Sequence, residues 1–229
     1  MAAGSAAAVC DRCCRISRAV YIMESAMPLL AATRLDIRFV GLPALPFLPR
    51  WKCLGEPVVQ VIAGPAGAIQ RAMATSSANA PRLAIIIGDG FVDCANLQVR
   101  VASVGAARQA CNVLVSLSAG RAGIIADVDA FDLRQVVVSG CEEGVIVRQR
   151  APTLIEAARR VSAEIANRQH LTACIGLTVG NFEGCLNEVS EAMAILGADG
   201  DEALDLVCLL RSPPGRFNLP TIEFFAGVM

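Results

Sequence analysis

Few residues in this chain of 229 are able to do chemistry. A Gly-Asp-Gly turn, Gly88, Asp89 and Gly90, follows the β-branched run Ile85 to Ile87. Glycine turns directly after buried strands are where phosphate-binding loops sit. The rest of such a loop is missing here. No GxxxxGK[ST] occurs, Lys52 is the only lysine, and the following FVDCANLQVRV reads as a strand rather than a helix start. Asp-Gly between strands is a tight-turn signal, so the expectation is a hairpin tip.

Of the ten cysteines, only Cys10, Cys13 and Cys14, in CDRCC, have ligand-like spacing. A structural zinc site needs a fourth ligand, typically from a second close pair. The next cysteine is Cys53 and the sole histidine is His170, so no metal is expected. Cys94, Cys111, Cys174, Cys185 and Cys208 lie in apolar segments and read as buried thiols of a reducing cytoplasm. His170 follows a helix end, where a positive group is stabilised by the helix dipole. Glu142 and Glu143 are adjacent on an extended segment and point to opposite faces, a poor acid/base pair. The acidic stretch Gly197 to Asp205 lacks the spaced ligands of a calcium loop. No serine sits in GxSxG. The residues therefore imply no catalytic group and no cofactor.

Net charge is −1, and 18% of residues are charged, with no basic block. Aromatics are 4%, so the basic stripe and stacking residues of a nucleic-acid binder are absent. Hydrophobic residues reach 55%, yet no uninterrupted apolar run of spanning length exists, which argues against a membrane helix. The first residues lack a charged region followed by a clean apolar stretch, so no secretory signal is expected and the protein reads as cytoplasmic.

The elements that would position these residues form an internal repeat. Val58 to Asn79 aligns with Val145 to Asn167, with Pro65 and Pro152 at matching helix starts. RLAIIIG aligns with HLTACIG, pairing Gly88 with Gly176. Each copy then reads as a further strand, an Ala-rich helix and a closing strand. The predicted fold is α+β: two tandem β-α-β-β-α-β (ferredoxin-like) repeats, each a sheet with helices on one face. Residues 1–30 read as a flexible tail. Residues 31–130 hold the first repeat with a preceding strand and a Pro-rich connection. Residues 131–229 hold the second repeat, with LRQVVVSGCEEG as a joining strand and a Pro-broken C-terminal arm.

Tandem copies of this pattern resemble the trimer-forming, tandem-domain shell proteins of bacterial microcompartments. The resemblance lies in VVQVIAGPAGAIQRAMA and VIVRQRAPTLIEAARRV, in the helices ASVGAARQACNVLVSLSAG and TVGNFEGCLNEVSEAMAILGADG, and in LDLVCLLRSPPGR. It covers about 55–216, and the family's glutamate after the first strand and its strand-edge lysine are absent. The resemblance implies a non-enzymatic structural protein that forms a homotrimer, joins other shell subunits and surrounds a central pore. It places Gly88, Asp89 and Gly90 at the pore in copy one and Gly176 in copy two. A second resemblance, of GLTVGNFEG (Gly176 to Gly184) to the AGNYGG segment of formylmethanofuran–tetrahydromethanopterin formyltransferases, implies a C1-transfer enzyme with Asn181 and Glu183 at a cleft. A third reading is an oligomeric α+β protein that binds a small ligand.

Overall fold

Short apolar runs that carry β-branched residues become strands here because helices cover them on both sides. In the computed structural model the described residues are 34–42, 53, 55–76, 79–118, 129–166, 170–178, 185–197, 205–211 and 219–228. The tail with Cys10, Cys13 and Cys14 lies outside them, as do Asn181, Glu183 and residues 198–204.

The chain forms β1 (Leu35–Phe39), β2 (Val59–Gly64), α1 (Ala66–Ala74), β3 (Arg82–Ile87), β4 (Leu97–Val101), α2 (Val104–Ser118) and α3 (Ala130–Val137). β5 (Glu143–Arg150), α4 (Leu154–Ile165), β6 (His170–Thr178), α5 (Cys185–Gly197), β7 (Asp205–Arg211) and β8 (Thr221–Val228) follow. All eight strands make one sheet in the order β1-β2-β3-β4-β5-β8-β6-β7. β1 to β5 pair in parallel, while β8 runs antiparallel between β5 and β6. β7 pairs in parallel with β6 at the other edge.

Two layers of side chains cover the β1–β4 half. Val59, Val61, Leu83, Ile85, Leu97 and Val99 pack against α2 and α3. Ile62, Ala84 and Ile86 on the opposite face pack against Ile69 and Met73 of α1, with Val92 sealing that layer. Every residue of β2 is consequently buried. In the other half α4 and α5 cover one face, through Leu154, Ala158, Val161 and Leu196. The opposite face meets the same α2–α3 layer through Cys174 and Phe225. The halves meet at one ladder position, Gln98 opposite Glu143, backed by a Gln98 N–H donating to the Glu142 carbonyl at 3.0 Å. No helix among the described residues is long and apolar enough to cross a membrane.

This architecture replaces the expected pair of ferredoxin-like repeats. Both aligned segments do form β-α-β units, β2-α1-β3 and β5-α4-β6, but they share one sheet and close differently. The turn after β3 is not a hairpin: β4 pairs with β3 in parallel, from Leu83 beside Leu97 to Ile87 beside Val101. The nine-residue return works because both strands are short. Its single buried anchor is Val92, whose N–H donates to Gln98 Oε1 at 2.9 Å. LRQVVV, expected as a strand, is largely helix α3. There Asp129 accepts from the Phe131 and Asp132 N–H groups, and Asp132 accepts from the Asp129 N–H, a reciprocal cap that fixes a helix start. The expected C-terminal arm contains β8, with all eight residues buried in the middle of its half-sheet.

Candidate functional site

In open α/β sheets ligands collect outside the carboxyl ends of the parallel strands, where helix N-termini also gather. Here that edge is built by β2, β3 and β4 and by the starts of α1 and α2. Three glycines draw it together. A Cβ on Gly41 (φ +65°) would stand 2.5 Å from the Ala68 Cβ, and one on Gly90 (φ +141°) 2.6 Å from the Ala66 Cβ. A Cβ on Gly64 would stand 2.2 Å from the Val40 carbonyl oxygen. None of these positions admits a side chain, so the ends of β1, β2 and β3 converge on the first turn of α1.

That first turn is itself uncapped. Pro65 is the N-cap residue, in extended conformation, and no side chain accepts from the helix N–H groups. Ala68 and Ile69 N–H groups donate to the Pro65 carbonyl at 2.9 and 3.1 Å. The end thus keeps the partial positive charge of a helix N-terminus facing outward. Gly67, exposed in this turn, has open space where a Cβ would be, and the nearest atom is Arg71 Nη1 at 3.8 Å. Arg71 lies one turn along and its guanidinium folds back over the helix start, as helical side chains do. Beside it, Ser103 Oγ accepts from the Ala106 N–H at 3.2 Å at the head of α2. The Gly88 N–H donates to the Val101 carbonyl at 2.9 Å. Arg100 on β4 donates through Nε to the Gly90 carbonyl at 3.3 Å and pairs with Glu143.

Gly88, Asp89 and Gly90 are therefore on this edge and exposed, as the opening of a crossover. Gly176 is not with them. It is buried mid-strand in β6, between Leu209 and Glu223, with Leu117 Cδ2 3.0 Å from where its Cβ would be. The sequence reading passed over the β2–α1 turn, Gly64-Pro65-Ala66-Gly67. Its signal is a buried strand, apolar but for Gln60, ending in Gly-Pro with a second glycine in the first helical turn.

The opposite, amino edge carries different chemistry. Asp129 and Asp132 face each other across the start of α3, and burial, then the Asp129 charge, raises the Asp132 carboxyl above its ordinary value. The two carboxylates also raise the Cys174 thiol, after its burial, which is the larger cause. Arg34, just before β1, stacks over the Phe131 ring at 5.2 Å. Near this edge Gln60, fully buried, donates to Asp36 Oδ2 at 3.2 Å and to Ser76 Oγ at 3.0 Å, under a polar cleft that Arg38 and Cys53 also line. Among the described residues no group of three His, Cys, Asp or Glu could hold a metal ion.

No protein-family model matches the chain, and no curated protein sequence matches it. Solved structures do match in fold. An FtsZ W319Y mutant from M. jannaschii superposes with a TM-score of 0.57 at 13% identity, over 75% of this chain and 66% of that one. CetZ from Methanosaeta thermophila gives 0.51 at 13% identity, over 76% and 62%. TubZ from Bacillus thuringiensis serovar israelensis, solved as GDP-form protofilaments, gives 0.50 at 10% identity, over 76% and 63%. The chain spans 62–66% of the length of these structures.

The shared fold is that of FtsZ, CetZ and TubZ, and it overturns the microcompartment reading. The homotrimer, the pore and the shell partners fall with that reading. So does the expectation of a protein that is no enzyme. The formyltransferase-like and plain ligand-binding alternatives do not match this fold either.

Proposed function

We propose that this protein is a self-assembling, nucleotide-dependent protein of the FtsZ/TubZ kind, acting in the cytoplasm, that holds a guanine nucleotide at the carboxyl edge of β2–β4 and hydrolyses it. The observation that carries the reading is the uncapped, glycine-bearing β2–α1 turn on a sheet whose fold matches TubZ, a protein solved in GDP-form protofilaments. Outward N–H groups of a helix start suit the β- and γ-phosphates. Arg71 supplies the cation that the chain, with its single lysine, does not draw from a P-loop. In a head-to-tail stack the amino edge of one copy meets the carboxyl edge of the next. That stacking brings Asp129 and Asp132 toward the neighbour's nucleotide. A carboxyl held above its ordinary value, as Asp132 is, suits proton transfer from an attacking water.

The test is direct. The full chain is mixed with GTP, GDP or ATP, and binding, phosphate release and high-speed sedimentation are followed together. GTP-dependent pelleting with phosphate release is expected. A chain that binds none of the three at millimolar concentration and stays in the supernatant would overturn the proposal.

A further inference from the structure

Among the described residues four large apolar side chains are exposed: Phe91 at 53%, Phe131 at 50%, Val138 at 40% and Leu219 at 53%. The two aromatics lie at opposite ends of the β1–β4 sheet. Phe91 stands on the carboxyl edge, directly after Gly90, whose packing against Ala66 and bond from Arg100 fix the backbone there. Val92 on its other side is buried and hydrogen-bonded. Phe91 is thus an exposed ring on a braced segment, flanked by the exposed carboxylates Asp89 and Asp93. Phe131 stands on the amino edge, in the first turn of α3, under the exposed Arg34 guanidinium. The Asp129 and Asp132 carboxylates beside it each accept from backbone N–H groups of their own helix start through one oxygen. One end therefore presents an aromatic ring between acids, and the other an aromatic ring under an arginine. Aromatic and arginine side chains are the groups that dominate interface energetics, and the charges beside the two rings are opposite, Asp89 and Asp93 at Phe91 and Arg34 at Phe131.

We infer that the two ends are the halves of one joint, in which Phe91 of one copy packs on the Arg34–Phe131 pair of a second copy of this chain while Asp89 meets Arg34. Because the two surfaces differ, the contact is heterologous and repeats into an open chain rather than closing as a dimer. The inference rests on the self-assembly proposed above and names the residues of its longitudinal contact.

The test uses charge exchange. Asp89→Arg places cations on both ends and Arg34→Asp places acids on both, so neither variant sediments alone, whereas a one-to-one mixture co-sediments. Phe91→Ala raises the critical concentration about tenfold or more, as loss of a buried interface aromatic does. Circular dichroism confirms that each variant is folded. A wild-type chain that assembles, with both charge variants assembling equally well alone, overturns this joint and leaves the filament proposal standing. So does a folded one-to-one mixture that stays soluble. Co-sedimentation only with an unrelated protein also overturns it. A wild-type chain that stays monomeric under every nucleotide overturns the filament proposal and the joint together.

Discussion

Gly67→Asp separates the two properties of the α1 start, because it moves stability and nucleotide affinity in opposite directions. The site has room, since only Arg71 Nη1, at 3.8 Å, comes near a new Cβ. Replacing glycine inside a helix gains a few tenths of a kcal/mol for aspartate, about 0.3 on the usual propensity scale. A carboxylate in the first turn gains about 0.3–1 kcal/mol from the helix dipole. Pairing with Arg71 four residues on gains about 0.3–0.5 kcal/mol. Folding is therefore strengthened by about 1–2 kcal/mol, which raises Tm by about 2–8 °C for a domain of this size. A phosphate about 5 Å from that carboxylate meets a repulsion of about 0.8 kcal/mol if the site is fully water-screened and about 3 kcal/mol at an effective dielectric near 20. Guanine-nucleotide Kd should rise between about fourfold and about 200-fold. Differential scanning fluorimetry without nucleotide, followed by titration with a fluorescent GTP analogue, reads both numbers on one sample. A raised Tm with unchanged affinity would show that no phosphate sits on α1. A lowered Tm would show that this helix end is not the open, uncapped terminus described above.

Asp132→Asn keeps an oxygen to accept from the Asp129 N–H but removes the titrating group. Nucleotide binding should persist while phosphate release falls at least about a hundredfold, the low end for loss of an acid–base group. Because the folded state holds the Asp132 proton more tightly than the unfolded chain does, its stabilising contribution is full at low pH and lost as pH rises through the raised value. Asp132→Asn should therefore flatten the fall of Tm with rising pH over that window, and an unchanged slope would count against the raised carboxyl. Arg148 Nη2 stands 2.7 Å from the buried Glu223 Oε1, with the arginine side chain 28% exposed. Glu223→Gln should cost about 2 kcal/mol in urea unfolding, less than for a fully buried pair, and adding Arg148→Met should recover most of it. Burial pushes the Cys111 thiol up to about 12 and raises Cys174 as well. Iodoacetamide at pH 8 should therefore leave both unmodified in the folded protein, as peptide mass spectrometry would show, and label them once urea is added.

Local grammar was readable where one principle acted alone. Proline after a buried strand marks the start of α1, and Leu154, Ala158, Val161 and Ile165 recur at helical spacing in α4. The pairing direction of β3 and β4 was misread because Gly88-Asp89-Gly90 carries a hairpin signal, whereas the decisive clue lies in the strands beside it. After Gln60, β2 is apolar without alternation, as is the centre of β3, the mark of a parallel sheet covered on both faces. Helix α3 hides in the β-branched VVV, and the Asp129-x-x-Asp132 spacing before it was the better guide. β8 looks like an arm because Pro213, Pro214 and Pro220 precede it, although the eight residues after Pro220 form a continuous strand. Gly64-Pro65-Ala66-Gly67 was legible as a helix start but not as an anion site. It has no lysine or hydroxyl to mark it, and its argument is the open end of a helix.

The position of β8 has a consequence for synthesis. Residues 221–228 fill the gap between β5 and β6, so until they leave the ribosome those two strands have unpaired backbone along their facing edges. The β1–β4 half can collapse on α1 and α2 early. The other half must wait for a segment that begins 78 residues after the start of β5, from Glu143 to Thr221. A chain cut short before Thr221 would expose two apolar edges at once, and such edges template aggregation. Quality control in the cell would meet that truncated form as a sticky, half-built domain rather than as a shorter working protein.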